Sequence, residues 1–135
     1  MPTLIDTSLW IDFTRARSPR TLKRFIAPFI LDPAAHLAEP ITFELLRHAT
    51  PAEAKQLAQQ FQTLPTLATP PLLWSQAADL GQACRQKNIL VNSLDLLIST
   101  IAIHHGAEVV TFDADFQKIA SVSKPQVKVL KRPTP

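Results

Sequence analysis

Two short apolar runs in this chain each end on an aspartate. Thr3-Leu4-Ile5 leads into Asp6 near the start, and the β-branched run from Glu108 to Phe112 leads into Asp113 near the end. Continuous rather than alternating apolar character marks strands covered on both faces, as in a parallel sheet whose crossovers are helices. In open α/β sheets the ligand crevice lies beyond the carboxyl ends of the strands. The two runs therefore predict an α/β sandwich around a central parallel sheet. They also predict two carboxylates at one sheet edge, provided the two strands are neighbours. Taken singly, each aspartate is more readily a helix cap.

The segments between the runs read mostly as helices. Leu9, Trp10 and Phe13 recur at helical spacing after Asp6-Thr7-Ser8, and Ser18-Pro19 ends that helix. A second helix is expected from Thr21 to Ile30, tilted or interrupted by Pro28 and closed by Asp32-Pro33. Residues 36–40 suit a strand, and Ile41 to Ala49 a helix carrying Glu44. Thr50, Pro51 and Glu53 form a capping signature for a helix to about Gln62. The proline-rich stretch from Thr63 to Pro71 is a connector with room for a short edge strand. A long helix follows from Leu72 to Lys87, with Trp74, Ala77, Ala78, Gly81 and Cys84 as its packed face. Ser93 is placed to cap a helix running to His105, apolar almost all round and hence buried, with Gly106 as its terminator. Phe116 to Ala120 reads as a short helical turn, Val127 to Leu130 as a last strand, and Lys131 to Pro135 as tail.

Composition narrows the function classes. A length of 135 residues fits one compact domain spanning 1–135, and 46% hydrophobic residues supply a core for it. Twelve prolines against two glycines imply stiff loops. The single cysteine, Cys84, excludes an internal disulfide framework and a cysteine-only zinc site. The N-terminal stretch lacks a signal-peptide pattern, and no apolar run is long enough to span a bilayer, so a cytoplasmic location is expected. The formal charge of +3 is unevenly spread. Arg15, Arg17, Arg20, Lys23 and Arg24 form one basic cluster, and Lys118, Lys124, Lys128, Lys131 and Arg132 another. Either could meet a phosphate-bearing partner or simply be a solvated face.

Among the acids, Glu39, Glu53 and Asp79 sit where solvent or a cap satisfies them. Asp6, Glu44, Asp95 and Asp113 do not. Asp95 lies in the first turn of the most apolar helix, where a carboxylate favours the helix dipole. Glu44 interrupts the apolar stretch Thr42-Phe43-Glu44-Leu45-Leu46, where an unpaired charge is costly; Arg47 is the obvious partner in sequence. Clustered carboxylates raise one another's pKa, and a hard divalent cation relieves them. His36, His48, His104 and His105 show no ligand pattern, which argues against zinc.

Four segments carry a family resemblance. Leu4-Ile5-Asp6-Thr7-Ser8-Leu9-Trp10-Ile11-Asp12-Phe13 resembles the opening of PIN-domain ribonucleases of the VapC toxin type. Ile41-Thr42-Phe43-Glu44-Leu45-Leu46-Arg47 is similar to that family's glutamate motif. Asn92 to Ile98 and Val110 to Phe116 resemble its third and last acidic motifs. The motifs stand in order over nearly the whole chain. The resemblance implies a three-layer α/β/α fold and a Mg²⁺-dependent endoribonuclease, with Mn²⁺ as the alternative ion. It implies that Asp6, Glu44, Asp95 and Asp113 are catalytic metal ligands, that Asp115 is an auxiliary one, and that Thr7, Ser8 and Thr111 support them. It further implies an RNA substrate, a cognate VapB-like antitoxin and a homodimer. The basic, apolar-lined segment from Trp10 to Ile30, with Arg15, Arg17, Arg20, Lys23 and Arg24, is a candidate surface for RNA or antitoxin. Asp12 is expected to be structural. The chain departs from the family in being glycine-poor, with Arg47-His48-Ala49 where a glycine is common.

Other classes fit less well. A haloacid-dehalogenase-type phosphatase wants an aspartate two residues after the first, where this chain has Ser8. A receiver domain wants a lysine after the late strand, where it has Asp113. A regulatory module acting through its antitoxin complex is the non-enzymatic alternative.

Overall fold

The structure, a computed structural model, describes residues 1–123 and 125–133. The chain runs β1 (Thr3–Ile5), α1 (Thr7–Thr14), α2 (Arg20–Leu31), β2 (Ala35–His36), α3 (Glu39–His48), α4 (Pro51–Phe61) and α5 (Leu73–Gln86). It continues with α6 (Ser93–His105), β3 (Glu108–Thr111), α7 (Asp115–Ser123) and β4 (Gln126–Val129). The strands form one sheet in the order β2-β1-β3-β4, every pair parallel. Helices cover both of its faces in a three-layer α/β/α arrangement.

Register explains how the two aspartates meet. Thr3, Leu4 and Ile5 lie opposite Glu108, Val109 and Val110, so both strands reach the same edge together. Leu4, Ile5, Val109 and Val110 are all buried, as their continuous apolar character requires. From β1 the chain steps outward to β2, and from β3 it steps outward to β4 on the other side. The topological switch point therefore falls between β1 and β3, which is where such sheets place their ligands.

Several elements differ from the sequence reading, each for a local reason. Residues 36–40 are not one strand. Pairing stops after His36, and Glu39 with Pro40 opens α3, where a proline lacking its N–H costs no helical bond. The connector meets this region through a parallel bridge between Leu37 and Thr66. Asn92, not Ser93, caps α6: its side chain accepts from the Leu94 N–H at 2.8 Å, leaving Ser93 as the first helical residue. Pro28 does not break α2, which continues to Leu31; the carbonyl it leaves without a donor, at Arg24, lies on an exposed side. The turn expected at Phe116–Ala120 is a full helix, α7. Trp74 and Ala78 do not belong to the packed face of α5, which buries Leu73, Ala77, Leu80 and Cys84; Trp74 is 75% exposed. Ile103 likewise leaves α6 apolar but not wholly buried. The tail positions Thr134 and Pro135 and the cluster member Lys124 lie outside the described residues.

Other readings hold. Thr50 and Glu53 exchange both hydrogen bonds of a capping box, and Gly106 ends α6 at φ 62°, the left-handed region where a side chain is strained. Cys84 is a fully buried free thiol, its pKa pushed up by burial.

Candidate metal centre

Asp6 follows the last residue of β1 and is almost wholly buried. Its carboxylate does two things at once. It caps α1 by accepting from the Ser8 N–H at 3.4 Å, and it accepts from two hydroxyls, Ser8 Oγ at 2.9 Å and Thr111 Oγ1 at 2.8 Å. Each hydroxyl is itself held by a backbone amide of the β3 end: Phe112 N–H donates to Ser8 Oγ at 3.0 Å, and Asp113 N–H donates to Thr111 Oγ1 at 2.9 Å. Ser8 and Thr111 thus tie the ends of the two central strands together and fix one carboxylate between them. Thr7 is buried too, but its hydroxyl finds no partner among the described residues. Its contribution to Asp6 comes from its backbone N–H.

Asp113 also has two roles. Its Oδ1 accepts from the Asp115 N–H at 2.9 Å and so caps the start of α7. Asp95, in the first turn of α6, completes a triad: oxygens of Asp95, Asp113 and Asp115 lie within 4.8 Å of one another. Asp115 carries an ion pair to Lys118 at 3.1 Å on its outer side.

The remaining acids act on this triad through their charge. Burial, and then the negative charges of Asp6, Asp113, Glu44 and Asp115, push the Asp95 carboxyl from an ordinary 3.8 to about 7. Asp6 is raised as well, chiefly by burial and against the pull of its hydroxyl and amide donors. The charges of the other four acids of the sequence reading are thus all felt at Asp95. Asp6 and Glu44 stand outside the tightest group of three. Glu44 does not pair with Arg47, whose guanidinium lies 5.9 Å from the Phe43 ring centroid instead. No cation is paired with Asp6, Asp95 or Asp113 among the described residues. Such a set of hard oxygen donors could hold a divalent cation.

Arg15, Arg17, Arg20 and Arg24 are exposed and Lys23 is half-buried, and none forms an ion pair with a described residue. Arg15 alone of the five shares a cavity with Glu44; Lys23 lines a separate groove with Phe13 and Gln56.

Residues 3–122 match the PIN domain family. The chain belongs to that family, and to its VapC type. This PIN domain is 33% identical over 128 residues to the VapC ribonuclease Mb1587 of Mycobacterium bovis, covering 91% of this chain and 95% of that one. It has the same identity and coverage with ribonuclease VapC11 of Mycobacterium tuberculosis. Among solved structures it resembles VapBC2 of Rickettsia felis bound to a promoter DNA fragment, with a TM-score of 0.77, 14% identity, and coverage of 97% of this chain and 100% of that one. VapBC-1 of nontypeable Haemophilus influenzae gives a TM-score of 0.72 at 15% identity, covering 96% and 98%. At those identities the solved structures speak for the fold of this PIN domain.

Sequence reasoning missed one group near the site. Phe112, immediately before Asp113, lies between the Phe25 ring, stacked at 6.3 Å, and the Arg132 guanidinium, 4.4 Å from its centroid. Arg132 comes from the tail, and only the folded chain brings it there.

Proposed function

We propose that this PIN domain is a divalent-metal-dependent endoribonuclease and the toxin half of a VapBC-type pair. The observation that carries the reading is the convergence of Asp95, Asp113 and Asp115 oxygens within 4.8 Å, beside a buried Asp6 at the switch point of the sheet. The names of its 33%-identical relatives support ribonuclease activity.

Asp95, Asp113 and Asp115, the three carboxylates that lie closest together, would hold the metal, with Asp6 and Glu44 as its further acids. When bound, a Mg²⁺ or Mn²⁺ ion supplies an activated water and offsets charge developing on the phosphoryl oxygens during hydrolysis. The chain does the positioning. Ser8 and Thr111 hold the Asp6 carboxylate in one orientation through hydroxyls that backbone amides have already oriented. Asp95, whose carboxyl is raised by burial and by the other acids, is the group that a cation held there would relieve. The unpaired arginines on the α1–α2 side supply phosphate contacts for a flexible single strand. A cognate VapB-like antitoxin and a homodimeric assembly complete the reading.

The test is induced expression followed by mapping of new RNA 5′ ends, with Asp6→Asn as control. The expected result is a set of new ends that disappears in the variant. New ends that persist in a folded Asp6→Asn protein would remove the assignment.

A further inference from the structure

Apolar surface gathers on one side of this protein. Of the eight large apolar side chains exposed among the described residues, four are Phe43, Leu46, Leu72 and Trp74. Phe43 and Trp74 line one groove of about 400 Å³ where α3, α5 and α6 meet, together with Leu73, Leu94 and Leu97. Leu46 lies one helical turn past Phe43, and Leu72 immediately precedes α5. Exposed apolar residues scattered singly are ordinary, but several around one groove mark an interaction surface. The charges beside the groove are ordered too. Glu39, Phe43 and Arg47 recur at every fourth position of α3 and are all exposed, so they share one stripe of its surface. Glu39 and Arg47 stand at equal distances on either side of Phe43, about 6 Å along the helix axis each way. At about 12 Å along that axis they are too far apart to pair with each other. Neither forms an ion pair with a described residue, and the Arg47 guanidinium rests near the Phe43 ring.

Resting on the homodimeric reading above, we infer that this face binds a second copy of the chain, with the two α3 helices antiparallel across a two-fold axis at Phe43. A closed dimer uses the same patch on both copies, so the patch must complement itself. The Glu39–Phe43–Arg47 stripe does so. Reversed end for end, it sets Glu39 opposite the partner's Arg47 and Arg47 opposite the partner's Glu39, with the two Phe43 rings at the centre. Antiparallel helices also bring opposite dipole ends together. Phe43, Leu46 and Trp74 supply an apolar centre and the charges a polar edge, the usual anatomy of a protein interface. A second copy is favoured over a different protein because equal spacing of opposite charges about one ring is a match to itself, and an unrelated partner would gain nothing from it. The contact also bears on the acidic centre. Glu44 follows Phe43 on α3 and Asp95 follows Leu94 on α6, so the second copy packs on the two helices that carry these acids.

The experiment measures the mass of the purified full chain by sedimentation velocity over a concentration series, with circular dichroism to show that each variant is folded. The native chain should sediment as a dimer. Phe43→Asp changes an exposed position of the monomer but places like charges together on the axis of the dimer, and should raise the dissociation constant about tenfold or more. Glu39→Arg and Arg47→Glu should each weaken the dimer by about tenfold as well, since each sets like charges opposite one another. The double swap, Glu39→Arg with Arg47→Glu, restores opposite charges in reverse order and should return the constant to within about threefold of the native value. A dimer indifferent to Phe43→Asp and to both single reversals overturns this face and leaves the homodimeric reading intact. A double swap no tighter than the single reversals overturns the two-fold pairing. A native chain that stays monomeric at every concentration removes the homodimer and this face together, while the ribonuclease reading is decided separately by the mapping of RNA ends.

Discussion

Arg132 Nε donates to Asp12 Oδ2 at 2.7 Å, joining the C-terminal tail to α1 across 120 residues of sequence. Asp12 is thereby accounted for as a structural residue. The same guanidinium covers the Phe112 ring, whose own N–H bonds Ser8. The loop that carries Asp113 is thus held from both sides, by Ser8 within and by Arg132 without.

Arg132→Ala removes the ion pair and the ring contact together and leaves a largely buried Asp12 charge. The expected loss is roughly 1–2 kcal/mol, above the usual exposed pair because one partner is desolvated and an aromatic contact goes with it. Thermal denaturation should show a melting temperature lower by several degrees. Isothermal titration should show weaker Mg²⁺ binding as the Asp113 loop loosens.

Thr111→Val keeps the shape of the β3 end but removes a donor to Asp6 and an acceptor for the Asp113 N–H. Loss of a group that orients metal ligands typically costs about 10–100-fold in metal affinity or activity. RNA cleavage should fall by that order with the secondary structure unchanged by circular dichroism. Thr7→Val, whose hydroxyl has no partner among the described residues, should change cleavage far less. An equal loss in both would contradict the division of roles between the two threonines.

Asp95 gives the metal-free protein a distinctive pH dependence. Its folded-state pKa of about 7 lies above the ordinary 3.8, so the folded chain holds this proton more tightly than the unfolded one. The contribution to stability is greatest below about 4 and declines as pH rises through about 7. Burial of Asp6 acts in the same direction. Melting temperatures of the metal-free chain should therefore fall between pH 5 and pH 8 less steeply in Asp95→Asn than in the native chain, buffers being the only approximate variable (about 0.1 M ionic strength throughout). Added Mg²⁺ should reverse the trend, because deprotonation of Asp95 then favours binding. Mg²⁺ affinity should weaken as pH drops below about 7.

Gly106→Ala tests the fold apart from the site. At φ 62° a Cβ is strained although nothing lies within 4 Å of it, so the expected cost is about 1 kcal/mol. Chemical denaturation should report that loss with cleavage per folded molecule unchanged.

The residues themselves set much of this. Apolar runs ending in Asp6 and Asp113 identified the two central strands, because burial on both faces leaves no alternation to find. Thr50-Pro51-Glu53 and Gly106 marked helix ends through local backbone chemistry, which needs only neighbouring residues. The roles of Asp95 and Glu44 were not readable in that way, since a first-turn acid and an acid in an apolar run both have ordinary local explanations; the family resemblance drew them in. Trp74 misled because helical spacing does not say which side of a helix faces the core. Ser93 misled because two adjacent residues were both competent to cap. Tertiary structure alone decided that β1 and β3 are neighbours, that Ser8 and Thr111 grip one carboxylate, and that Arg132 reaches Asp12 and Phe112. All of those contacts but the one between Arg132 and Phe112 join residues more than 100 positions apart, and a sequence pattern carries no information on distances set by the packing of the whole chain. The two aspartates at the strand ends were legible from the sequence; the centre they form exists only once parallel pairing brings both ends to one edge.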